Sequence, residues 1–250
     1  MSRQSAKTVF IFDWDGTLLN VSEQILSSLQ TSINSVITDT SLHSQFPILK
    51  ELPLVTPFTL RPFIGLRFKE KILPDLFPEV CDDEKLVDVF YSAFLSLYRE
   101  KKSSLFPGAL DLLQKIKSDE SLGIALATNK SRDLLVHELS DHELDDLFDY
   151  IVCGDDPHHG GRTKPKPDMI DCLYEHFPEA TGWYMVGDSP ADVLASKHAS
   201  RHVVSIGVFN NQHASSCKIL EQTEPDLLIE HVSDLPKYTF AKESSSFFDA

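Results

Sequence analysis

Four apolar residues in a row, Val9-Phe10-Ile11-Phe12, open the ordered pattern of this chain and run straight into Asp13-Trp14-Asp15-Gly16-Thr17. A run without alternation predicts a strand buried on both faces, as in a parallel sheet. The same shape recurs downstream. Gly123–Ala127 is followed by Thr128-Asn129-Lys130, Asp149–Gly154 by a loop reaching Thr163, and Trp183–Val186 by Gly187-Asp188-Ser189-Pro190-Ala191-Asp192. Val203–Val208 and Asp226–Ile229 predict two more strands. Helices are predicted over Ala109–Lys117, after a Ser131 cap, and over Met169–Phe177. Strands alternating with helices predict an α/β fold, a Rossmann-like parallel sheet with helices on both faces.

Between the first strand and the rest, the period changes. Leu26, Leu29, Ile33 and Val36 share one helical face, with Ser22 as the expected N-cap. The stretch Thr38–Pro62 holds Pro47, Pro53, Pro57 and Pro62 and predicts short turns rather than one helix. Leu66–Leu73 predicts a short helix. Asp82 or Asp83 opens a longer one that carries Leu86, Val87, Phe90, Phe94 and Leu97 on its apolar side. Residues 20–105 are therefore expected to form an α-helical domain inserted into a core made of residues 1–19 and 106–250. Lys237–Ala250 shows little pattern, with Phe240, Phe247 and Phe248 as stray apolar residues.

Composition narrows the classes of partner. The chain is 42% hydrophobic and 24% charged, with a formal charge of −15, which argues against a nucleic-acid or anionic-membrane binder. An anionic substrate would have to be attracted by local positive charge against that field. Cys81, Cys153, Cys172 and Cys217 form no Cys-x-x-Cys pair, so reduced thiols are expected rather than a disulfide framework or a zinc site. No apolar run approaches membrane length and the N-terminus carries no signal-type apolar stretch. A cytoplasmic, soluble protein is the expectation, with no reading of its oligomeric state.

The strand tips carry the chemistry. Asp13 and Asp15 at the end of a buried strand repel each other unless a cation sits beside them. Gly16 permits a tight turn that points amide N–H groups at an anion. Alone, an Asp-x-Asp pair is equally an acidic surface turn, and Thr128 alone is a helix-entry residue. Asp188 and Asp192, four apart across a turn into a helix, can face one pocket. A lysine stiffened by Lys164-Pro165-Lys166-Pro167 is a fixed point charge. Lys130 and Arg132 are expected to add positive potential at the rim, and the loop pair His158-His159 to be solvated.

Asp13-Trp14-Asp15-Gly16-Thr17, Thr128 after its strand, Lys164-Pro165-Lys166-Pro167 and Gly187-Asp188-x-x-x-Asp192 together resemble the four motifs of the haloacid dehalogenase-like phosphatases. Within that family the chain looks most like the helical-cap, phosphoglycolate phosphatase-like members. The resemblance implies a Mg²⁺-dependent phosphatase acting on a small phosphorylated metabolite. By it, Asp13 is the nucleophile, Asp15 the acid and base, and Thr128 and Lys164 hold the phosphoryl oxygens. Asp13, Asp188 and the Asp15 carbonyl would bind the metal, with Asp192, Gly16 and Asn129 in support. Lys166 is the register alternative to Lys164. In the inserted domain, Arg61, Gly65 and Arg67 match residues that close over substrate.

Other members of the family keep parts of this set. Asp15 argues against a dehalogenase, which has no acid–base group two residues after its nucleophile. A phosphonatase would need a lysine such as Lys69 or Lys71. A phosphomutase of the β-phosphoglucomutase type often carries Val where Thr17 stands, so Thr17 favours hydrolysis. Pyrophosphate and nucleotides fit the same core. A non-catalytic binding protein would be expected to have lost an Asp.

Overall fold

The computed structural model describes residues 5–63, 68–100, 103–210 and 214–239. In chain order the elements are β1 (Thr8–Phe12), β2 (Leu19–Asn20), α1 (Ser22–Thr38), α2 (Pro57–Leu60), α3 (Leu73–Leu76), α4 (Glu84–Glu100), β3 (Ser104–Leu105), α5 (Ala109–Ser118) and β4 (Leu122–Thr128). Then follow α6 (Arg132–Asp141), β5 (Tyr150–Cys153), α7 (Asp168–Asp171), β6 (Gly182–Gly187), α8 (Pro190–His198), β7 (Val204–Val208), α9 (Ala214–Gln222), β8 (Leu227–Ile229) and α10 (Leu235–Thr239). The chain forms two compact units, one running up to Asn20 and again from Ser104, the other Val21–Ser103.

The first unit is a parallel sheet in the order β5-β4-β1-β6-β7-β8. Register aligns Phe12 with Leu126 of β4 and Val186 of β6, so residues just past each strand end at one level. The chain fills one side of β1 with β4 and β5, then reverses to build β6, β7 and β8 on the other. That reversal makes the carboxyl end of β1 and β6 a topological switch point, where open α/β sheets hold their ligands. Val9, Ile11, Ala125, Ala127, Trp183 and Met185 pack one face against Met169, Ile170, Leu173 and Phe177. Burial on both sides is why β1 and β4 read as unbroken apolar runs.

Some boundaries differ from the sequence reading. A two-residue antiparallel pair, Leu19–Asn20 with Ser104–Leu105, closes the first unit where the intervening segment departs. It is too short to show any periodicity. Met169–Phe177 is not one α-helix: α7 is a single turn that tightens into a 3₁₀ turn over Cys172–Glu175. His159 is buried, not solvated, because the glycine-ended turn Pro157–His159 tucks it inward and its Nε2 donates to the Cys153 carbonyl at 2.8 Å. The four cysteines form no disulfide. Phe240, Phe247 and Phe248 lie outside the described residues.

The second unit is helical. α1 packs on α4, and the Gln24 amide donates to the Tyr98 carbonyl at 2.9 Å. Val21, not Ser22, stands at the cap of α1. Asp83 accepts the amides of Lys85 and Leu86 at the start of α4. The proline-rich stretch gives short turns at Pro47–Lys50, Pro57–Leu60 and Arg61–Phe63. Asn34 secures it by exchanging two hydrogen bonds with the Val55 backbone, at 2.8 and 2.9 Å. Where a helix over Leu66–Leu73 was expected, Phe68–Ile72 forms a wide π-type turn running into α3, and Leu66 lies outside the described residues. Among the described residues no helix is long and apolar enough to cross a membrane.

Candidate active site

β1 ends by donating the Asp13 amide to the Val186 carbonyl at 2.9 Å, which fixes the Asp13 side chain at the switch point. The next turn is built around the Trp14 carbonyl, which accepts the amides of Leu18 and Leu19 at 3.0 Å. Gly16 adopts φ +85°, and a Cβ on it would lie 2.2 Å from Asp188 Oδ2. Glycine is required there both by backbone conformation and by space. A Cβ on Gly187 would likewise collide with the Asp192 carboxylate, at 2.3–2.4 Å.

Lys164 is the hub. It is 4% exposed, and its Nζ donates to Asp13 Oδ1 at 2.7 Å and to Asp192 Oδ1 at 2.6 Å. Lys166 is exposed, whereas Lys164 is the lysine of the pair that reaches the strand ends. Asn129 grips the Lys164 backbone from both sides, its Oδ1 accepting the Lys164 N–H and its Nδ2 donating to the Lys164 carbonyl, each at 3.0 Å. Asn129 thus orients the lysine. Asp192 also accepts from the Ser189 hydroxyl (2.6 Å) and amide (3.1 Å) through Oδ2, the capping box of α8. Thr128 is buried at the end of β4, and its hydroxyl oxygen accepts the Lys130 amide at 3.2 Å.

Carboxylate oxygens of Asp13, Asp188 and Asp192 lie within 4.8 Å of one another. Burial pushes Asp13 up to about 7, Lys164 pulls it down, and Asp192 adds to the rise. Asp188 is raised well above the usual carboxylate range by burial, then by Asp13 and Asp192. Lys164 is raised as well: burial works against its charge, but Asp13 and Asp192 outweigh that. Three carboxyl groups thus crowd around one ammonium, and every donor is a hard oxygen. That donor set fits a divalent cation of the Mg²⁺ type. In this cluster Asp192 serves Lys164 through Oδ1 and Ser189 through Oδ2, Asp13 Oδ1 also accepts from Lys164, and Asp188 Oδ1 accepts from the Thr17 hydroxyl at 3.3 Å.

Asp15 lies apart from this cluster. Its Oδ1 accepts from Lys130 Nζ at 2.7 Å. Burial raises its pKa and Lys130 opposes the rise. Lys130 is thus not a rim charge: it is buried between Asp15 and Glu138. Arg132 pairs with Asp156 through two bonds, at 2.6 and 2.7 Å. In the helical unit, Arg61 opens the turn Arg61–Phe63, and Gly65 and Arg67 lie outside the described residues. Lys69 and Lys71 are ion-paired with Asp88 and Asp75 on the surface.

Sequence reasoning missed two supports. Asn210, just past β7, donates to the Gly16 and Thr17 carbonyls at 2.9 and 2.8 Å and accepts the Val232 amide at 3.1 Å. Nothing local marked it. Glu138 was detectable, because a charge stands among Leu134, Leu135 and Leu139 on the buried face of α6.

The family model of the haloacid dehalogenase-like hydrolases matches residues 10–206. Pyrophosphatase PpaX of Bacillus cereus (strain Q1) is 25% identical over 230 residues, 90% of this chain and 93% of that protein. PpaX of Bacillus mycoides (strain KBAB4) is 26% identical over the same shares. Among solved structures, a predicted phosphoglycolate phosphatase from Haemophilus somnus 129pt superposes with a TM-score of 0.71 at 21% identity, covering 96% of this chain and 99% of that one. A predicted phosphatase from Clostridium acetobutylicum gives 0.70 at 21%, covering 95% and 100%.

Proposed function

We propose, from the premise that this chain belongs to the haloacid dehalogenase-like hydrolases, that it is a Mg²⁺-dependent phosphatase of small phosphate monoesters of the phosphoglycolate kind. The observation that carries the reading is Lys164 held between Asp13 and Asp192 beside Asp188 at the switch point. Asp13 and Asp188 would hold the metal, with the Asp15 carbonyl as the third protein oxygen. When bound, Mg²⁺ neutralises charge on the transferring group.

The chain's own groups do the rest. An Asp13 oxygen attacks phosphorus while the bond from phosphorus to the ester oxygen breaks. Asp15, its carboxyl raised by burial, gives its proton to that leaving oxygen. In the second step Asp15 takes a proton from water as the water attacks the aspartyl-phosphate. The Asp13–phosphate bond then breaks and phosphate is released. Lys164 offsets charge at Asp13 throughout, and the Thr128 hydroxyl donates to a phosphoryl oxygen.

A second reading, pyrophosphate hydrolysis, is favoured by the PpaX relatives, whose similarity spans nearly their whole length. Phosphate release should be followed with Mg²⁺ on p-nitrophenyl phosphate, phosphoglycolate, sugar phosphates and pyrophosphate. Preference for a monoester, abolished in Asp13→Asn, is the expected result. Preference for pyrophosphate selects the second reading. No turnover of any of them, or full activity in Asp13→Asn, refutes both.

A further inference from the structure

Lys130 is a second buried lysine that the scheme above leaves unused. Its Nζ donates to Asp15 Oδ1 at 2.7 Å and to the Glu138 oxygens at 2.7 and 2.6 Å. Glu138 also accepts from the Trp14 indole N–H at 2.6 Å. Trp14 has no exposed surface, Glu138 is 8% exposed and the Lys130 side chain 5%. The network closes on itself, since Trp14 lies between Asp13 and Asp15 in the strand-end turn. Backbone bonds pin Lys130 as well: its amide donates to Thr128 Oγ1, and its carbonyl accepts the Gly154 amide at 2.9 Å.

A buried ion pair is a poor device for stability alone, because apolar residues of similar volume often do as well. What this one adds is direction. With Oδ1 tied to the ammonium, the Asp15 carboxyl cannot swing freely, and Oδ2 is the oxygen left to carry a proton. We propose that Lys130, braced by Glu138 and through it by Trp14, is a positioning residue that sets the Asp15 carboxyl at the angle from which it meets the leaving oxygen. This rests on the phosphatase reading.

The test uses leaving groups. A well-aimed acid matters for an alkoxide and little for p-nitrophenolate, which departs without a proton. The double variant Lys130→Met/Glu138→Gln takes the ammonium from Asp15 without leaving the Glu138 carboxylate buried and unpaired. Its kcat/KM should fall about 10²-fold for an alkyl phosphate and less than about 10-fold for p-nitrophenyl phosphate. The aryl ester should also show a burst of nitrophenolate equal to the enzyme, because the water-activating step becomes slow. Should the double variant fail to fold, Glu138→Gln alone must show the same split at smaller size. Equal losses on both esters, or none on either, overturn the inference. Wild-type enzyme that turns over neither ester with Mg²⁺ sinks the phosphatase reading instead, and in that way the two failures are told apart.

Discussion

Gly16→Ala tests whether the strand-end turn is built to hold Asp188 in place. Two effects are combined in that substitution. Moving a non-glycine residue into left-handed backbone costs roughly 1–2 kcal/mol. The added Cβ would also lie 2.2 Å from Asp188 Oδ2 and 2.6 Å from its Cγ. Relieving such contacts to ordinary van der Waals distance moves the carboxylate by about 1 Å, a misplacement that can cost about 10²-fold in rate. Gly161→Ala separates the effects, because Gly161 has φ +72° and nothing within 4 Å of the added carbon. Both variants should lose stability in urea unfolding, Gly16→Ala by at least as much as Gly161→Ala. Only Gly16→Ala should lose about 10²-fold in kcat/KM and show weaker Mg²⁺ binding by titration calorimetry. If Gly16→Ala keeps the activity and metal affinity of Gly161→Ala, the geometric reasoning is wrong.

Further outcomes follow from the same geometry. In metal-free protein, Asp13 is raised from 3.8 to about 7, so between those values the folded state binds more protons than the unfolded one. Its contribution therefore favours the fold at low pH and is lost as pH rises through about 7. Urea unfolding in EDTA should show that slope in wild type relative to Asp13→Asn, and Mg²⁺ should stabilise wild type most at the upper end of the range; the opposite slope refutes it. Asn210→Ala removes three bonds and places Ala at φ 45°. It should cost about 2–4 kcal/mol in unfolding free energy, with Asn210→Gly costing less because glycine accepts that backbone. Lys164→Ala should abolish phosphate release while Lys166→Ala leaves it within about two-fold, an exposed substitution being near neutral; loss on Lys166→Ala would reverse the assignment.

The strand tips were legible because burial writes itself as an unbroken apolar run, and a polar residue that ends such a run stands out. Asp13, Thr128 and Asp188 stand at such strand ends, and the order of the core elements was read the same way, while the roles expected of the three residues came from the resemblance to the four family motifs. Lys164 needed the two prolines beside it. Lys130 was misread as a rim charge, since its partner lies eight residues on and comes within reach only when α6 folds back beside Asp15. Asn210 was invisible because three bonds to distant backbone leave no local spacing to see. His159 was misplaced for a related reason: a tight glycine-ended turn, not a hydrophobic pattern, carries it inside.

The central place of β1 has a cost for the growing chain. Thr8 aligns with Leu122 on one side and with Gly182 on the other, so β1 is made well before either of its neighbours. At about 5–20 residues per second of synthesis, one bare edge of Thr8-Val9-Phe10-Ile11-Phe12 waits roughly 10–35 seconds for its neighbour. An aromatic, uncharged ribbon left open that long is where ribosome-bound intermediates of this protein are most apt to associate.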